Sequence, residues 1–226
     1  MSQTGLIIDK PEVPQTFHQL GILVLDGSGS MSAMGRQQLT KAQEVEMGMK
    51  EMFSRFDASR VKNNFSFACI KFDTTALTTL HPTPFKNLDY FNEDFNPLNG
   101  KGGGTHIFEA LNSAKKIAED FLANAPIGGV KHSVIILLMS DGLCFQPQTT
   151  VAVADNIKQE GNIDIACAYF AEIGTNNNEE TNDTKTLLQS VATSPVSFFT
   201  TVHDGETLRK FFERSISQSS GIGKLN

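Results

Sequence analysis

The first half of the chain alternates between short apolar runs and longer stretches in which apolar residues recur every three or four positions. The short runs at residues 21–25 and 64–72 predict buried strands. Residues 75–80 are more polar, which indicates a strand at the edge of a sheet. From about Arg36 the helical spacing predicts a helix with one apolar face. The residues on that face are Leu39, Ala42, Val45, Met49, Met52, Phe53 and Phe56.

The second half of the chain repeats this alternation. A helical pattern starts at Ile107, and apolar runs at residues 134–140 and 163–170 predict two more buried strands. Thr149 or Thr150 can cap a helix between these strands. The remaining predictions are a polar loop over residues 174–184, a short helix over 187–192, a strand over 196–200 and a closing helix capped by Asp204. Regular alternation of strands and helices predicts an α/β fold with a doubly wound, mostly parallel central sheet and helices on both faces.

This pattern places most of the chain in one domain. Residues 1–19 have little periodicity and are interpreted as an N-terminal arm, residues 20–218 as the domain, and residues 219–226 as a tail. A chain of 226 residues is long enough for one α/β domain with a large core. Residues 81–104 contain three prolines and predict an unusually long loop before the second helix.

Charge and cysteine content limit which binding partners and which cellular location we expect for the protein. The net charge is −6 and basic residues are scattered, so nucleic acid and acidic membranes are not expected partners. No apolar run is long enough to span a membrane, and the N-terminus lacks the pattern of a secretion signal. The odd set Cys69, Cys144 and Cys167 does not suggest a disulfide framework. We therefore expect a cytoplasmic protein, and the sequence leaves its oligomeric state open.

Candidate metal ligands directly follow the first buried strand. In the segment LGILVLDGSGSM, Asp26, Ser28 and Ser30 occupy alternate positions, while two intervening glycines let the backbone turn tightly. Thr105 follows a run of three glycines at the start of a helical pattern, and Asp141 ends another buried strand. Carboxylate and hydroxyl oxygens suit a hard cation, so the five side chains predict a magnesium site. Each segment taken alone is also typical of an ordinary turn or helix cap.

The order of these motifs resembles the metal-ion-dependent adhesion site (MIDAS) of von Willebrand factor A (vWA) domains. The resemblance extends from about Leu20 into the last helix. It implies an antiparallel edge strand and a Rossmann-like vWA fold. It also implies that Ser28, Ser30 and Thr105 bind Mg²⁺ directly, with Mn²⁺ or Ca²⁺ as alternatives, while Asp26 and Asp141 act mostly through bound water. The metal would then keep enough positive charge to bind an Asp or Glu of a partner protein.

The function expected from this resemblance is a metal-dependent protein-interaction module that is not itself an enzyme. It would act as an intracellular adaptor or assembly component, similar to standalone vWA proteins of tellurite-resistance and stress-response systems. A metal-dependent hydrolase or phosphatase is the first alternative, although Ser28 stands where a phosphoaspartate mechanism would need a second carboxylate. A nucleotide-binding protein is the second alternative, although neither glycine-rich segment completes a phosphate-binding pattern.

Overall fold

The computed structural model describes residues 17–36, 38–125, 129–171 and 179–221. These residues form a six-stranded sheet with helices on both faces. The strands are β1 (Phe17–Asp26), β2 (Phe65–Phe72), β3 (Ala76–Pro84), β4 (Lys131–Ser140), β5 (Ile163–Phe170) and β6 (Phe199–Val202). The α-helices are α1 (Lys41–Ala58), α2 (Ile107–Ala123), α3 (Pro147–Gln159), α4 (Glu179–Val191) and α5 (Gly205–Ser220).

The sheet has the order β3-β2-β1-β4-β5-β6. All neighbouring strands are parallel except β2 and β3, so β3 is the antiparallel edge strand. Both central strands, β1 and β4, are buried over their last eight residues, because helices cover both faces of the sheet. Helix α1 packs on α5, while α2, α3 and α4 pack side by side on the other face. The predicted fold class is confirmed.

The segment before α1 is not helical, so the predicted helix start near Arg36 is wrong. Gln38 has a φ of 60°, in the left-handed region that a right-handed helix does not use. The Gly35 amide donates to the Leu39 carbonyl over 2.7 Å, which closes a turn instead. Helix α1 begins after Thr40, whose side chain accepts from the Gln43 amide in a capping box.

Two other helix boundaries differ from the prediction. Helix α3 begins at Pro147 after Gln146, so neither Thr149 nor Thr150 is its cap. The predicted loop over residues 174–184 lies partly outside the described residues, but its described part belongs to α4, which begins at Glu179. This polar segment is helical because α4 buries Leu187 and Leu188 on its inner face, and packing outweighs the weak local propensity.

Two strand boundaries also differ from the prediction. Strand β3 continues to Pro84, four residues into the loop predicted over residues 81–104, and pairs there with Ser66. Strand β6 starts only at Phe199, which pairs with Cys167, whereas Val196 is exposed in a turn. The rest of the long connection, residues 85–104, buries aromatic side chains such as Phe85 and Phe95 against Phe53 of α1. These aromatic side chains therefore pack as part of the core.

At the opposite end of the sheet from the strand carboxyl ends, His18 and His132 face each other across β1 and β4. Their rings lie 5.5 Å apart, and both contact the Phe121 ring. Burial, followed by the proximity of His132, lowers the pKa of His18 below its usual 6.5. The unfolded chain therefore takes up a proton at His18 at a higher pH than the folded protein does.

We expect this difference to make the folded protein less stable as the pH falls below about 6.5, because protonation of His18 then favours the unfolded state. Urea denaturation at pH 7.5, 6.5 and 5.5 measures the free energy of unfolding at each pH. His18→Asn should reduce the loss of this free energy between pH 7.5 and 5.5. His203→Asn removes an exposed histidine instead and controls for the loss of one imidazole group. Equal pH dependence in the wild type and His18→Asn would contradict this interpretation.

Candidate metal centre

Two predicted carboxylates follow the two central strands at the same edge of the sheet. Strands β1 and β4 run parallel, with Leu25 opposite Met139, so Asp26 and Asp141 come together where these strands end. Strand β2 lies on one side of β1 and β4 on the other, so the winding reverses between β1 and β4. Ligands of open α/β sheets bind at such a reversal, beyond the carboxyl ends of the strands.

The turn after β1 connects these two carboxylates through its serines. The Ser28 amide donates to Asp26 Oδ1 over 2.8 Å, and the hydroxyl oxygens of Ser28 and Ser30 lie 3.0 Å apart. The Ser30 hydroxyl then donates to Asp141 Oδ1 over 2.6 Å. Alternate positions of the DGSGS turn thus face the same side, as the sequence predicted.

Thr105 reaches the same place from the loop before α2, where its side chain is buried. The Gly29 amide donates to the Gly103 carbonyl over 3.1 Å, which joins this loop to the turn after β1. Asp73, just after β2, accepts from the Gly103 amide through its side chain, and its carbonyl accepts from the His106 amide. Asp73 therefore holds both flanks of Thr105 in position.

Gly142 shows that the three hydroxyl groups face one point. A β-carbon built on Gly142 would lie 3.1 Å from Thr105 Oγ1, 3.6 Å from Ser30 Oγ and 3.9 Å from Ser28 Oγ. The structure thus brings together the side chains of all five predicted residues: Asp26, Ser28, Ser30, Thr105 and Asp141. The space beside Gly142 is a small cradle lined with oxygen atoms.

The electrostatics of this cradle favour a cation. Asp26 is fully buried, and its burial, together with the negative charge of Asp141, raises its pKa to about 7. Hydrogen bonds from Ser140 and Ser28 offset part of this shift. Two buried carboxylates repel each other unless positive charge lies near them, and the Lys41 ammonium group beside Asp141 supplies one such charge. Hydroxyl and carboxylate oxygens are hard donors, so the residues present fit Mg²⁺, Mn²⁺ or Ca²⁺.

Three residues of this region were missed in the sequence: Ser140, Lys41 and Asp73. The Ser140 hydroxyl donates to Asp26 Oδ2, and the Lys41 ammonium group lies 2.6 Å from Asp141 Oδ2. A serine before Asp141 and a lysine on the apolar stripe of α1 were the available signals. In the part of the chain described, no three His, Cys, Asp or Glu side chains are grouped to hold a metal ion.

Fold and site together define a class of protein: an open α/β domain with an oxygen-lined site where the winding of its sheet reverses. The family model of the von Willebrand factor type A domain matches residues 22–214. The chain therefore belongs to this family, as its resemblance implied. Domains of this family are often metal-dependent adhesion or protein-interaction modules.

Solved structures with the same fold come from distant proteins. The pilus adhesin SpaC of Lactobacillus rhamnosus GG is 14% identical with a TM-score of 0.69, and the match covers 90% of this chain and 30% of that one. The vWF domain of the type V pili tip protein Mfa5 from Porphyromonas gingivalis is 13% identical with a TM-score of 0.64, covering 93% and 99%.

A third structure is that of proximal thread matrix protein 1 from the mussel byssus, whose MIDAS motif is occupied by zinc. It is 20% identical with a TM-score of 0.58, covering 91% of this chain and 46% of that one. The present chain thus spans less than a third of SpaC and about half of the mussel protein. No curated protein sequence matches the chain.

Proposed function

We propose that this chain is a metal-dependent protein-interaction module with a MIDAS-type site that holds Mg²⁺ and binds a carboxylate of a partner protein. The observation that carries the proposal is the convergence of the Ser28, Ser30 and Thr105 hydroxyls on the space beside Gly142, next to two buried carboxylates. Mn²⁺ and Ca²⁺ are the alternative ions, because they accept the same oxygen donors.

The proposed roles of the five residues are those that the resemblance to metal-ion-dependent adhesion sites implies. Ser28, Ser30 and Thr105 would bind the ion directly as neutral donors, and Asp26 and Asp141 would act mostly through water. When bound, the ion supplies positive charge that these neutral donors leave largely uncompensated. An Asp or Glu side chain of the partner is the oxygen donor that this charge favours, through a charge-assisted contact.

An interaction module is favoured over a hydrolase by the chemistry of the first turn. The Ser28 hydroxyl lies 3.0 Å from the Ser30 hydroxyl, in the position where a phosphoaspartate mechanism would need a second carboxylate. We therefore propose that the chain is not an enzyme. Turnover of a generic phosphoester that disappears in Asp26→Asn would favour the hydrolase instead.

A cytoplasmic location remains a prediction from composition. An adaptor or assembly role, including one in a stress response, remains a proposal from the resemblance to standalone vWA proteins. Within the described residues, no helix has both the length and the apolar character needed to cross a bilayer. Two proteins that share the fold are a pilus adhesin and a pilus tip protein. Cell fractionation with an antibody to the native protein would distinguish a cytoplasmic from a surface location.

We expect Thr105→Val to weaken Mn²⁺ binding by about tenfold or more, because it removes one of three hydroxyl donors while keeping the side chain's shape. Isothermal titration calorimetry with Mn²⁺ on the wild type and the variant measures the loss, and circular dichroism checks the fold. Thr149→Val is the matched control, since Thr149 is exposed in the first turn of α3.

The wild type should show saturable Mn²⁺ binding, and bound Mn²⁺ should raise its melting temperature. A wild type that binds no Mn²⁺, or partner binding that persists in excess chelator, would rule out the proposed function. Binding to the native partner can then be compared in Mg²⁺ and in chelator.

A further inference from the structure

A buried lysine lies against the candidate metal centre. Lys41 Nζ is 2.6 Å from Asp141 Oδ2, with 1% of the Lys41 side chain and none of the Asp141 side chain exposed. Lys41 is the first residue of α1, directly after the Thr40 capping box. A helix start fixed in this way holds the ammonium group at one position beside the site.

This arrangement occupies both oxygen atoms of Asp141. Oδ1 accepts from the Ser30 hydroxyl over 2.6 Å, and Oδ2 accepts from Lys41. A buried ammonium group is costly unless a carboxylate compensates its charge, so removing either Lys41 or Asp141 would leave the other charge buried and uncompensated. The pair of Lys50 with Glu46 on the same helix is partly exposed to solvent and has no such constraint.

We propose that Lys41 is a built-in cation that lowers the affinity of the site for the divalent metal. Once the metal is bound, Lys41 raises the affinity of the site for an incoming carboxylate. This inference rests on the proposed function. Its physical basis is that the ammonium group repels a second cation placed beside Asp141, and attracts an anion arriving at the same place. Both effects are large because the lysine is buried and poorly screened by solvent.

The two effects have opposite signs, which separates this role from a purely structural one. If Lys41 only positioned Asp141, its removal would disturb the site and lower both affinities together. If it acts through its charge, its removal raises the metal affinity and lowers the carboxylate affinity.

The test uses the full chain and Mn²⁺ as the probe. Isothermal titration calorimetry should give Lys41→Met an Mn²⁺ affinity about tenfold above that of the wild type, since one buried charge easily changes a binding constant by this factor. Acetate is then titrated into the Mn²⁺-saturated proteins while water-proton relaxation reports displacement of Mn²⁺-bound water. The half-saturating acetate concentration should rise severalfold in Lys41→Met.

Lys50→Met is the matched control, because it removes a positive charge from the surface of the same helix and should change neither affinity. Lys41→Arg keeps the charge and should stay near the wild type in both titrations. If Lys41→Met does not fold, Lys41→Gln serves instead, since it is neutral but can still donate to Asp141. The proposal fails if the neutral variant binds Mn²⁺ no more tightly than the wild type, or binds acetate equally well. Failure of the wild type to bind Mn²⁺ would instead reject the proposed function.

Discussion

Gly142→Ala is expected to lower the Mn²⁺ affinity by roughly tenfold to a hundredfold while the protein stays folded. The new methyl group would lie 3.1 Å from Thr105 Oγ1 and 3.6 Å from Ser30 Oγ, in the space beside these hydroxyl oxygens. A metal ion held by these oxygens would compete with this methyl group for the same volume. The backbone of Gly142 is not among those with positive φ, so alanine introduces no conformational strain there.

Calorimetric titration with Mn²⁺ measures the affinity, and urea denaturation in chelator checks that stability is retained. Leu143→Ala is the control, because it changes the next residue, which is partly exposed, and adds nothing to the cradle. Wild-type Mn²⁺ affinity in Gly142→Ala would show that the metal, if bound, lies elsewhere. The metal site would then have to be sought away from the five predicted residues.

Gly205→Ala is expected to lower the free energy of unfolding by about 3 kcal/mol or prevent folding. A β-carbon at Gly205 would run into the carbonyl oxygen of Glu44 and approach the Gly48 amide at 3.4 Å. These are backbone atoms of α1, which cannot turn aside as a flexible side chain would. Helices α1 and α5 touch here through their backbones, so alanine forces the two helices apart.

Chemical denaturation of Gly205→Ala and the wild type measures this loss. Lys210→Ala is the control on the same helix, since it breaks only an exposed ion pair with Glu206 and should change stability by well under 1 kcal/mol. Near-wild-type stability of Gly205→Ala would mean that α5 can move away from α1 at little cost. Mn²⁺ binding by the two variants then shows whether that movement reaches the site.

Most of the fold could be predicted from the sequence, because strands buried on both faces appear as continuous apolar runs. Strand β5 has the predicted bounds, and β1, β2 and β4 differ only at their ends. The errors fall where local pattern and packing disagree. The segment from Arg36 to Thr40 has helical periodicity, but a residue with left-handed backbone and a closed turn delay α1. The polar start of α4 is helical because the rest of that helix is buried.

The candidate site was predictable in its residue types but not in its surroundings. Asp26 and Asp141 each lie at the end of an apolar strand, so a parallel sheet brings them to one edge, and Thr105 was a candidate because it follows three glycines at the start of a helical pattern. Ser140 and Lys41 could not be assigned in this way. Each belongs to a regular element whose pattern already explains it, and only the packing of α1 shows that Lys41 reaches Asp141.

The sequence by itself determined the α/β class and the buried strands and pointed to five candidate oxygen donors, because periodicity and residue chemistry are local properties of the chain. Only the tertiary structure decided how closely those donors approach one another. It also decided that Asp73 anchors the Thr105 loop and that the Lys41 ammonium group lies beside Asp141. These contacts join residues up to 111 positions apart. Distances between such segments depend on how helices and loops pack on the sheet, and no local pattern encodes them.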